Sequence, residues 1–237
     1  DTMVLDGSFA GSKFHIGYKA RETVTVKAMD ARVNILGRQA RYDGLAVNSE
    51  AMLNGDLNIN NTTIRGTTAA DDNLSTSNQA GSAISKAAAI NDATQYTGVT
   101  AIVNKTSVAG TGAVQQVQLD SSNYMVINDE IISGFTVSAN DADGSLIDAI
   151  NAIANDTGVI ARLDQQLNLV LEAEDGRNIE IEVFGNAANL NVAQETYAGS
   201  ITLQSRKAID MMHTRLISGV GHFCDPRVFE SLNPFGG

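Results

Sequence analysis

The sequence is poor in the residues that usually dominate a thick hydrophobic core. It contains no tryptophan, and aromatic residues make up only 5% of its 237 positions. Alanine, glycine, serine, threonine and asparagine are abundant instead. This composition favours thin sheets and small cores over one large core, and the length allows two or three small domains.

Three other shortages exclude classes of protein. The single cysteine, Cys224, cannot form an internal disulfide, so the fold does not depend on one. No apolar run reaches the roughly eighteen residues of a membrane-spanning helix. Lysine and arginine (16) are outnumbered by aspartate and glutamate (27), which gives a net charge of −11. This charge argues against binding to nucleic acid or to an anionic membrane surface, and we interpret it as keeping a crowded or secreted protein soluble.

No cleavable secretion signal is visible at the start of this sequence, and we expect none there. The stretch DTMVLDGSFAG has no positively charged region before an apolar run. Because the chain also opens without methionine, we expect it to be a processed or excised piece of a longer protein.

The most regular pattern is LIDAINAIANDTGVIARLDQQLNLVLEAEDGRNIEIEV, at residues 146–183. It begins as an amphipathic helix whose apolar face comprises Leu146, Ile147, Ile150, Ile153 and Ala154. Ser145 with Asp148 resembles a capping box before that helix, and Gly158 is expected to end it in a left-handed conformation.

Three strands are predicted after the helix, at residues 159–163, 167–173 and 179–183. Alternation places their apolar side chains on one face, with Val170 as an exception on the polar side. Asp175-Gly176 is typical of the tight turn of a hairpin between the last two strands. A helix covering an antiparallel sheet is the simplest way to bury both apolar faces, so the pattern predicts an α+β fold.

Part of this unit occurs twice. Ala89-Ile90-Asn91 and Thr97-Gly98-Val99 recur sixty positions later as Ala149-Ile150-Asn151 and Thr157-Gly158-Val159. Upstream, Ile59-Asn60-Asn61 resembles Ile127-Asn128-Asp129. One copy could be an ordinary helix with an ordinary end, but two copies in the same order predict a duplicated structural unit.

The remaining chain yields further predictions. A β-hairpin is predicted within residues 1–30, where Phe14, Ile16, Val24 and Val26 alternate with polar residues. Around the first copy we predict a strand-turn-strand at 57–64, an exposed loop at 67–81, a helix at 84–95 and a strand at 99–103. Between the copies we predict a flexible loop at 104–114, a polar strand at 115–119, strands at 124–127 and 131–137, and a turn-rich segment at 140–144.

Two stretches and the repeat resemble bacterial flagellins. LDGSFAGSKFHIGYKARETVTV resembles the flagellin segment that follows the long N-terminal helices, through Leu5, Asp6, Gly7, Ser8, Phe9, Phe14, Ile16 and Gly17. The repeated unit is similar to the insert motif of the outer, variable flagellin domains, which the filament cap protein shares. ETYAGSITLQ, at 195–204, resembles the strand that returns to the inner domain. The first and last of these favour flagellin over the cap protein.

The resemblance implies a domain plan and a role. It divides the chain into an inner-domain hairpin and connection (1–45), a first insert-type outer domain (46–120), a second (121–194) and a return strand with an inner-domain tail (195–237). The fold implied is small antiparallel sheets, each covered by a short helix. The long polymerising helices of flagellins are not in this sequence, and the stretch after Arg206 departs from the family pattern.

The implied protein is a secreted, extracellular structural subunit of the bacterial flagellum, which serves motility. Its partners are other flagellin subunits, mainly through the helices that this sequence lacks, and its outer domains are available for contacts with a host or another surface. Neither nucleic acid nor membrane is implied as a partner, and no catalysis.

Candidate chemical groups do not form a recognisable site. His222 and Cys224 lack the further ligands that a structural zinc site needs. Asp141, Asp143 and Gly144 do not have the spacing of a calcium-binding EF-hand loop. Glu172, Glu174, Glu180 and Glu182 are interpreted as one solvated strand face rather than as paired catalytic carboxylates. We therefore predict no catalytic, cofactor-binding or metal-binding residue and no cofactor.

Three alternatives remain open at this point. A flagellar cap or hook-associated protein could carry the same insert motif. A secreted adhesin-like binding module could combine acidic β-domains in a similar way. A hydrolase is the third, and it would need a cleft with convergent titratable groups.

Overall fold

The computed structural model describes residues 10–15, 23–27 and 40–213, and the chain divides into units 1–40 and 41–237. In the first unit, strand β1 (Ala10–His15) pairs antiparallel with β2 (Thr23–Lys27), and Phe14 lies opposite Val24. The hairpin predicted near the N-terminus is therefore confirmed. The resemblance at Leu5 to Phe9 and the loop at 17–22 lie outside the described residues.

The second unit combines many short strands with four short helices in its described part. The strands are β3 (Ala40–Ala46), β4 (Leu57–Ile59), β5 (Thr62–Thr63), β6 (Val99–Val103), β7 (Thr106–Ala113), β8 (Val117–Gln118), β9 (Tyr124–Ile127), β10 (Glu130–Ile132), β11 (Thr136–Val137), β12 (Ile160–Leu163), β13 (Asn168–Ala173), β14 (Ile179–Phe184), β15 (Glu195–Tyr197), β16 (Ser200–Ser205) and β17 (Met211–His213). The helices are α1 (Ala83–Asp92), α2 (Thr94–Thr97), α3 (Ser145–Ala152) and α4 (Ala154–Thr157). Turns of 3₁₀ helix occur at Ala69–Asp71, Gln79–Gly81, Ala139–Asp141 and Gly185–Leu190. The predicted α+β class is confirmed.

Apart from a two-stranded β8–β11 sheet, the sheets described in the second unit fall into two equivalent sets. The first set has strand orders β3-β16-β6 and β17-β4-β5, and the second has β7-β13-β12 and β10-β9-β14, with β15 added beside β14. Helix α1 packs on β6 as α3 packs on β12. Ala101 lies opposite Leu203 just as Ala161 lies opposite Leu171. The duplication predicted from the sequence is therefore confirmed, and it extends to strands that showed no sequence likeness.

The two copies are nested rather than consecutive. Strands β16 and β17, which complete the first copy, come from residues 200–213, after the whole second copy. The first copy therefore comprises β3, β4, β5, α1, α2, β6, β16 and β17, and the second copy is inserted between β6 and β16. The domain boundaries implied by the flagellin resemblance, near residues 45, 120 and 194, stay a prediction.

The second copy has a continuous hydrophobic core. Its largest fully buried side chains come from the two sheets, from α3 and from the residue after β8; they are Leu119, Met125, Ile127, Leu146, Ile150, Leu169, Leu171 and Ile179. Each such side chain stabilises the fold by roughly 1.5–3 kcal/mol. On the predicted helix face, Leu146 and Ile150 are fully buried, whereas Ile147 and Ile153 are half-buried against the same core.

The Asp175-Gly176 turn does not close a hairpin, which corrects the prediction from sequence. Strand β13 pairs with β12 and β7, whereas β14 pairs with β9 and β15. The turn carries the chain from one sheet to the other. Gly176 has φ +76° and its Cα lies against Val103 and the carbonyl of Asn104, so the change of sheet needs a residue without a side chain.

The predictions for two loops and one strand also change. The stretch 104–114 is not a flexible loop, because β7 pairs with β13 along most of it and the pairing satisfies its backbone hydrogen bonds. The predicted strand 115–119 is reduced to Val117–Gln118. Within 67–81, residues 68–70 are exposed as predicted, but Asp72 and Ser75 are buried.

The strands and helices differ from prediction at a few further positions. Leu167 is 40% exposed with φ +63° and belongs to the β12–β13 turn rather than to the apolar strand face. The predicted strand at 131–137 breaks at Gly134, which has φ +93°. In α1, Ala87 and Ile90 are buried as predicted, but Ile84 is only half-buried.

Helix α3 is capped by a different residue from the one predicted. Gly144 occupies the N-cap position and Ser145 is the first helical residue, so the expected Ser145–Asp148 capping box does not form. The carboxylate of Asp141 instead accepts hydrogen bonds from the backbone N–H of Leu146 (2.9 Å) and of Ile147 (3.1 Å). The 3₁₀ turn at Ala139–Asp141 brings this side chain back over the helix start.

In the part of the chain that the structure describes, no helix has the length and hydrophobicity needed to cross a membrane.

Candidate functional site

The residues shared by the two copies meet at a polar junction that joins the two sheets and the helix of each copy. In the second copy the centre of the junction is Asn128, which is 3% exposed and has φ +48° in the turn between β9 and β10. Its side-chain N–H₂ donates to the carbonyl of Thr157 (2.8 Å), and its side-chain oxygen accepts from the N–H of Glu180 (2.9 Å). One amide therefore ties the turn to the end of α4 and to β14.

A second asparagine ties the helix to its sheet. The side chain of Asn151 donates to the carbonyl of Ala161 (3.1 Å) and accepts from the N–H of the same residue (2.7 Å). Between them, the Thr157 hydroxyl accepts from the N–H of Val159 (3.1 Å), and Gly158 turns the chain with φ +72°. Asparagine suits both positions because its amide donates and accepts at once, and at Asn128 it also tolerates the left-handed conformation.

The first copy repeats the contacts of both asparagines. Asn60 donates to the carbonyl of Thr97 (2.7 Å) and accepts from the N–H of Asp210 (2.9 Å). Asn91 exchanges two bonds with the backbone of Ala101 (2.9 and 2.8 Å). Gly98 has φ +69°. The short motifs that revealed the repeat in the sequence are thus the residues that build the junction.

One part of the second junction has no counterpart in the first. The guanidinium of Arg177 donates to the carbonyl of Thr157 (3.3 Å) and is held by Asp175 (2.7 Å). It lies over Gly158, where an added Cβ would overlap the Arg177 guanidinium. At Gly98 an added Cβ would meet nothing within 4 Å. The Asp-Gly-Arg stretch therefore places a cation at the C-terminal end of α4, where the helix carbonyls favour positive charge.

Contrary to the prediction from sequence, Glu172 does not lie on a solvated face. It is 7% exposed and lies between Lys105 Nζ (2.8 Å) and the Arg162 guanidinium (3.2 Å). Hydrogen bonds from Arg162 and Lys105 lower the pKa of its carboxyl to about 2. Glu174 is exposed, while Glu180 and Glu182 are half-buried. The four glutamates therefore do not share one solvated environment.

Two further charged groups hold the first copy together. Lys86 in α1 is 4% exposed, and its ammonium donates to the side-chain oxygen of Asn48 and to the carbonyl of Gly81 (both 2.9 Å). Burial lowers the pKa of Lys86 to about 8. Arg65 bridges Asp71 (2.8 Å) and Asp92 (2.6 Å), and its hydrogen bond lowers the pKa of Asp71 to about 2. These contacts are structural, since each group is occupied by a partner within the fold.

The other candidate groups have structural contacts or lie beyond the described residues. Asp141 caps α3, and Asp143 accepts from the hydroxyls of Ser138 (2.7 Å) and Ser145 (3.1 Å) in the preceding turn. His222 and Cys224 are outside the described part. Among residues 40–213, no three His, Cys, Asp or Glu side chains are grouped so that they could hold a metal ion.

Comparison with known proteins identifies the motif around the second junction. Residues 128–175 match the family described as the flagellin hook IN motif. The match begins at Asn128, the residue at the centre of the second junction, and ends at Asp175, which forms an ion pair with Arg177. Flagellin B of Helicobacter pylori (strain J99) is 29% identical over 92% of this chain, and Flagellin A of Helicobacter felis is 28% identical over 83%. Over most of its length the chain is similar to flagellins.

The flagellin resemblance seen in the sequence is therefore confirmed. The chain spans 44% of the length of Flagellin B and 39% of the Helicobacter felis Flagellin A that it matches. Flagellin A of Helicobacter pylori (strain 26695) is also 29% identical, over 76% of this chain and 34% of its own length. The similarity to flagellins thus covers both nested copies.

Proposed function

We propose that this chain is the outer, surface-exposed part of a flagellin-type subunit of the bacterial flagellar filament. The observation that carries the proposal is the coincidence of the flagellin hook IN match with the second polar junction, within a chain that is similar to flagellins over 92% of its length. The role is structural: the junctions fix the shape of two small modules, and no catalytic step is assigned to any residue.

The partners in this proposal are further subunits of the same filament. The matched region is 44% of Flagellin B, so we assign polymerisation to the remainder of a full-length subunit. The nested copies would then stand on the filament exterior, outside the cell. Side chains such as Tyr96 (71% exposed) and Ile131 (64% exposed) are available there for contacts with a host or another surface. The divisions near residues 45 and 194 would mark where the chain passes between inner and outer parts, and the division near residue 120 would separate the two outer domains.

Thiol labelling of intact cells tests this placement. Tyr96→Cys and Asn155→Cys, both at exposed positions, are introduced separately into the full-length protein that contains this chain, with Cys224→Ser as background. Leu146→Cys, at a fully buried position, is the matched control. Cells are treated with a fluorescent maleimide and examined by light and electron microscopy.

The labelling pattern distinguishes the alternatives. Label along the whole filament at positions 96 and 155, with little at position 146, is expected for a flagellin. Label confined to the filament tip or to its base would favour a cap or hook-associated protein. Label on the cell surface without filaments would favour an adhesin-like module and would contradict the proposal.

A further inference from the structure

A short segment of the first copy lies across the second copy. Residues 72–78, here called the strap, belong to the connection between β5 and α1. The strap is shaped by Asp72, which is 3% exposed and accepts from the N–H groups of Leu74 (2.8 Å) and Ser75 (3.0 Å) and from the Ser75 hydroxyl (2.6 Å). Such an aspartate-centred turn holds its backbone in one conformation.

The strap binds the second copy through Asn178, a residue that is 1% exposed. The backbone N–H of Asn178 donates to the Ser75 hydroxyl (2.9 Å), and its side chain donates to the carbonyls of Ser77 (3.0 Å) and Asn78 (3.2 Å). The carbonyl of Asn178 in turn accepts from Asn128 at the centre of the second junction (3.3 Å). The strap is thus connected directly to the element that joins the sheets of the second copy.

The two copies are also linked where the chain leaves the first copy and returns to it. The side chain of Asn104, just after β6, donates to the hydroxyls of Ser200 and Thr202 (both 3.0 Å). The backbone N–H of Asn104 donates to the carbonyl of Ser200 (2.9 Å). The outgoing and returning chains therefore run side by side, and taken alone they would form a two-stranded hinge.

We propose that the strap is a lock that turns this hinge into a fixed joint. A hinge made of two adjacent chain segments leaves the inserted copy free to rotate about them. The Ser75–Asn178 bond joins residues 103 positions apart in the sequence and adds a separate point of attachment. Two points of attachment remove that rotation, so both copies behave as one rigid body. This inference concerns the chain itself and does not depend on its place in a filament.

Calorimetry and hydrogen exchange on the whole chain test the lock. Asn178→Ala removes the amide that binds Ser77 and Asn78, and Ser75→Ala removes only the hydroxyl between Asp72 and Asn178. Asn155→Ala, an exposed substitution in the second copy, is the control. In the wild-type protein, the two nested copies are expected to unfold together in one cooperative transition with equal calorimetric and van't Hoff enthalpies.

The variants should separate the two copies. In Asn178→Ala we expect two transitions, or a van't Hoff enthalpy clearly below the calorimetric one, and exchange at the Leu74 and Ser75 amides faster by about tenfold or more. Ser75→Ala should show the same change at smaller amplitude, and it serves as the test if Asn178→Ala does not fold. The lock would be overturned if the wild type unfolded in two transitions. It would also be overturned if Ser75→Ala, and Asn178→Ala where that variant folds, unfolded in a single transition with unchanged hydrogen exchange at the strap amides.

Discussion

Gly98 and Gly158 end equivalent helices with nearly the same φ, +69° and +72°, but they have different neighbours. A Cβ at Gly98 would point into open space, whereas a Cβ at Gly158 would displace the Arg177 guanidinium. The same substitution at both glycines therefore separates the cost of the left-handed backbone from the cost of losing the arginine. No other chain is needed as a reference, because the first copy is the control for the second.

The magnitudes follow from these contacts. An alanine held in the left-handed region costs roughly 1–2 kcal/mol, and this applies to Gly98→Ala and Gly158→Ala alike. At Gly158 the added methyl also removes the bond from Arg177 to the Thr157 carbonyl and the favourable position of its charge at the helix end. That loss adds roughly 0.5–1.5 kcal/mol. We expect about 1.5–3.5 kcal/mol for Gly158→Ala and about 1–2 kcal/mol for Gly98→Ala.

Urea unfolding of both variants, alone and combined with Arg177→Ala, measures the difference. With Arg177 already removed, Gly158→Ala should cost about the same as Gly98→Ala, because the three atoms nearest to the added methyl all belong to the Arg177 side chain. Equal losses for the two glycine variants in the wild-type background would refute the role given to Arg177. No loss for Gly98→Ala would refute the left-handed strain itself.

Three other substitutions have expected outcomes. Asn128→Ala leaves the buried N–H of Glu180 without its side-chain acceptor and removes the shorter of the two hydrogen bonds to the Thr157 carbonyl, so the free energy of unfolding in urea should fall by roughly 2–4 kcal/mol. Glu172→Gln should lower stability by about 1–2 kcal/mol at pH 7, a value reduced because both cationic partners are about half exposed. Because the folded pKa of Glu172 is depressed to about 2, this contribution is present above the unfolded value of 4.5 and is lost as pH falls from there towards 2. The wild type should become more stable as pH rises from 8 to 10.5, because the folded pKa of Lys86, about 8, lies below the unfolded one and the unfolded chain binds more protons in that window. Lys86→Met should abolish this rise in stability.

Each outcome has a control. Asn155→Ala tests whether any asparagine-to-alanine change in the second copy has the effect expected of Asn128→Ala, and an equal loss would contradict the importance of the junction. Glu174→Gln, at an exposed neighbour of Glu172, should change stability little at any pH. If the stability difference between wild type and Glu172→Gln persisted unchanged at pH 2, the pKa assigned to Glu172 would be wrong. If Lys86→Met still became more stable between pH 8 and 10.5, the pKa assigned to Lys86 would be wrong.

The short-range features were predictable because they depend on neighbouring residues. Asn60-Asn61 and Asn128-Asp129 do form turns with positive φ, and Gly98 and Gly158 do end helices. These conformations follow from backbone sterics and side-chain hydrogen bonding within a few residues. The alternation of Ile179 and Ile181 with glutamates also placed the apolar residues correctly in the core.

Two of the errors came from partners elsewhere in the chain. Strand β7 forms within residues 104–114 because β13, some sixty positions later, satisfies its backbone. Glu172 is held away from solvent because Arg162 on β12 and Lys105, just before β7, form ion pairs with it. Neither set of partners can be chosen from local pattern alone. The capping of α3 was missed for a local reason, because a 3₁₀ turn carries Asp141 back over the helix start.

The sequence by itself determined that this protein contains a duplicated helix-and-sheet unit, that asparagine turns and glycine caps shape it, and that the unit resembles those of flagellins. These properties are local in the chain and are repeated, so residue identity and spacing suffice. Only the tertiary structure decided that one copy is inserted within the other and that the strap reaches Asn178. Strand partners and buried polar contacts are selected by the packing of segments far apart in the chain, and the free energy of that packing has no signature in any single stretch of sequence.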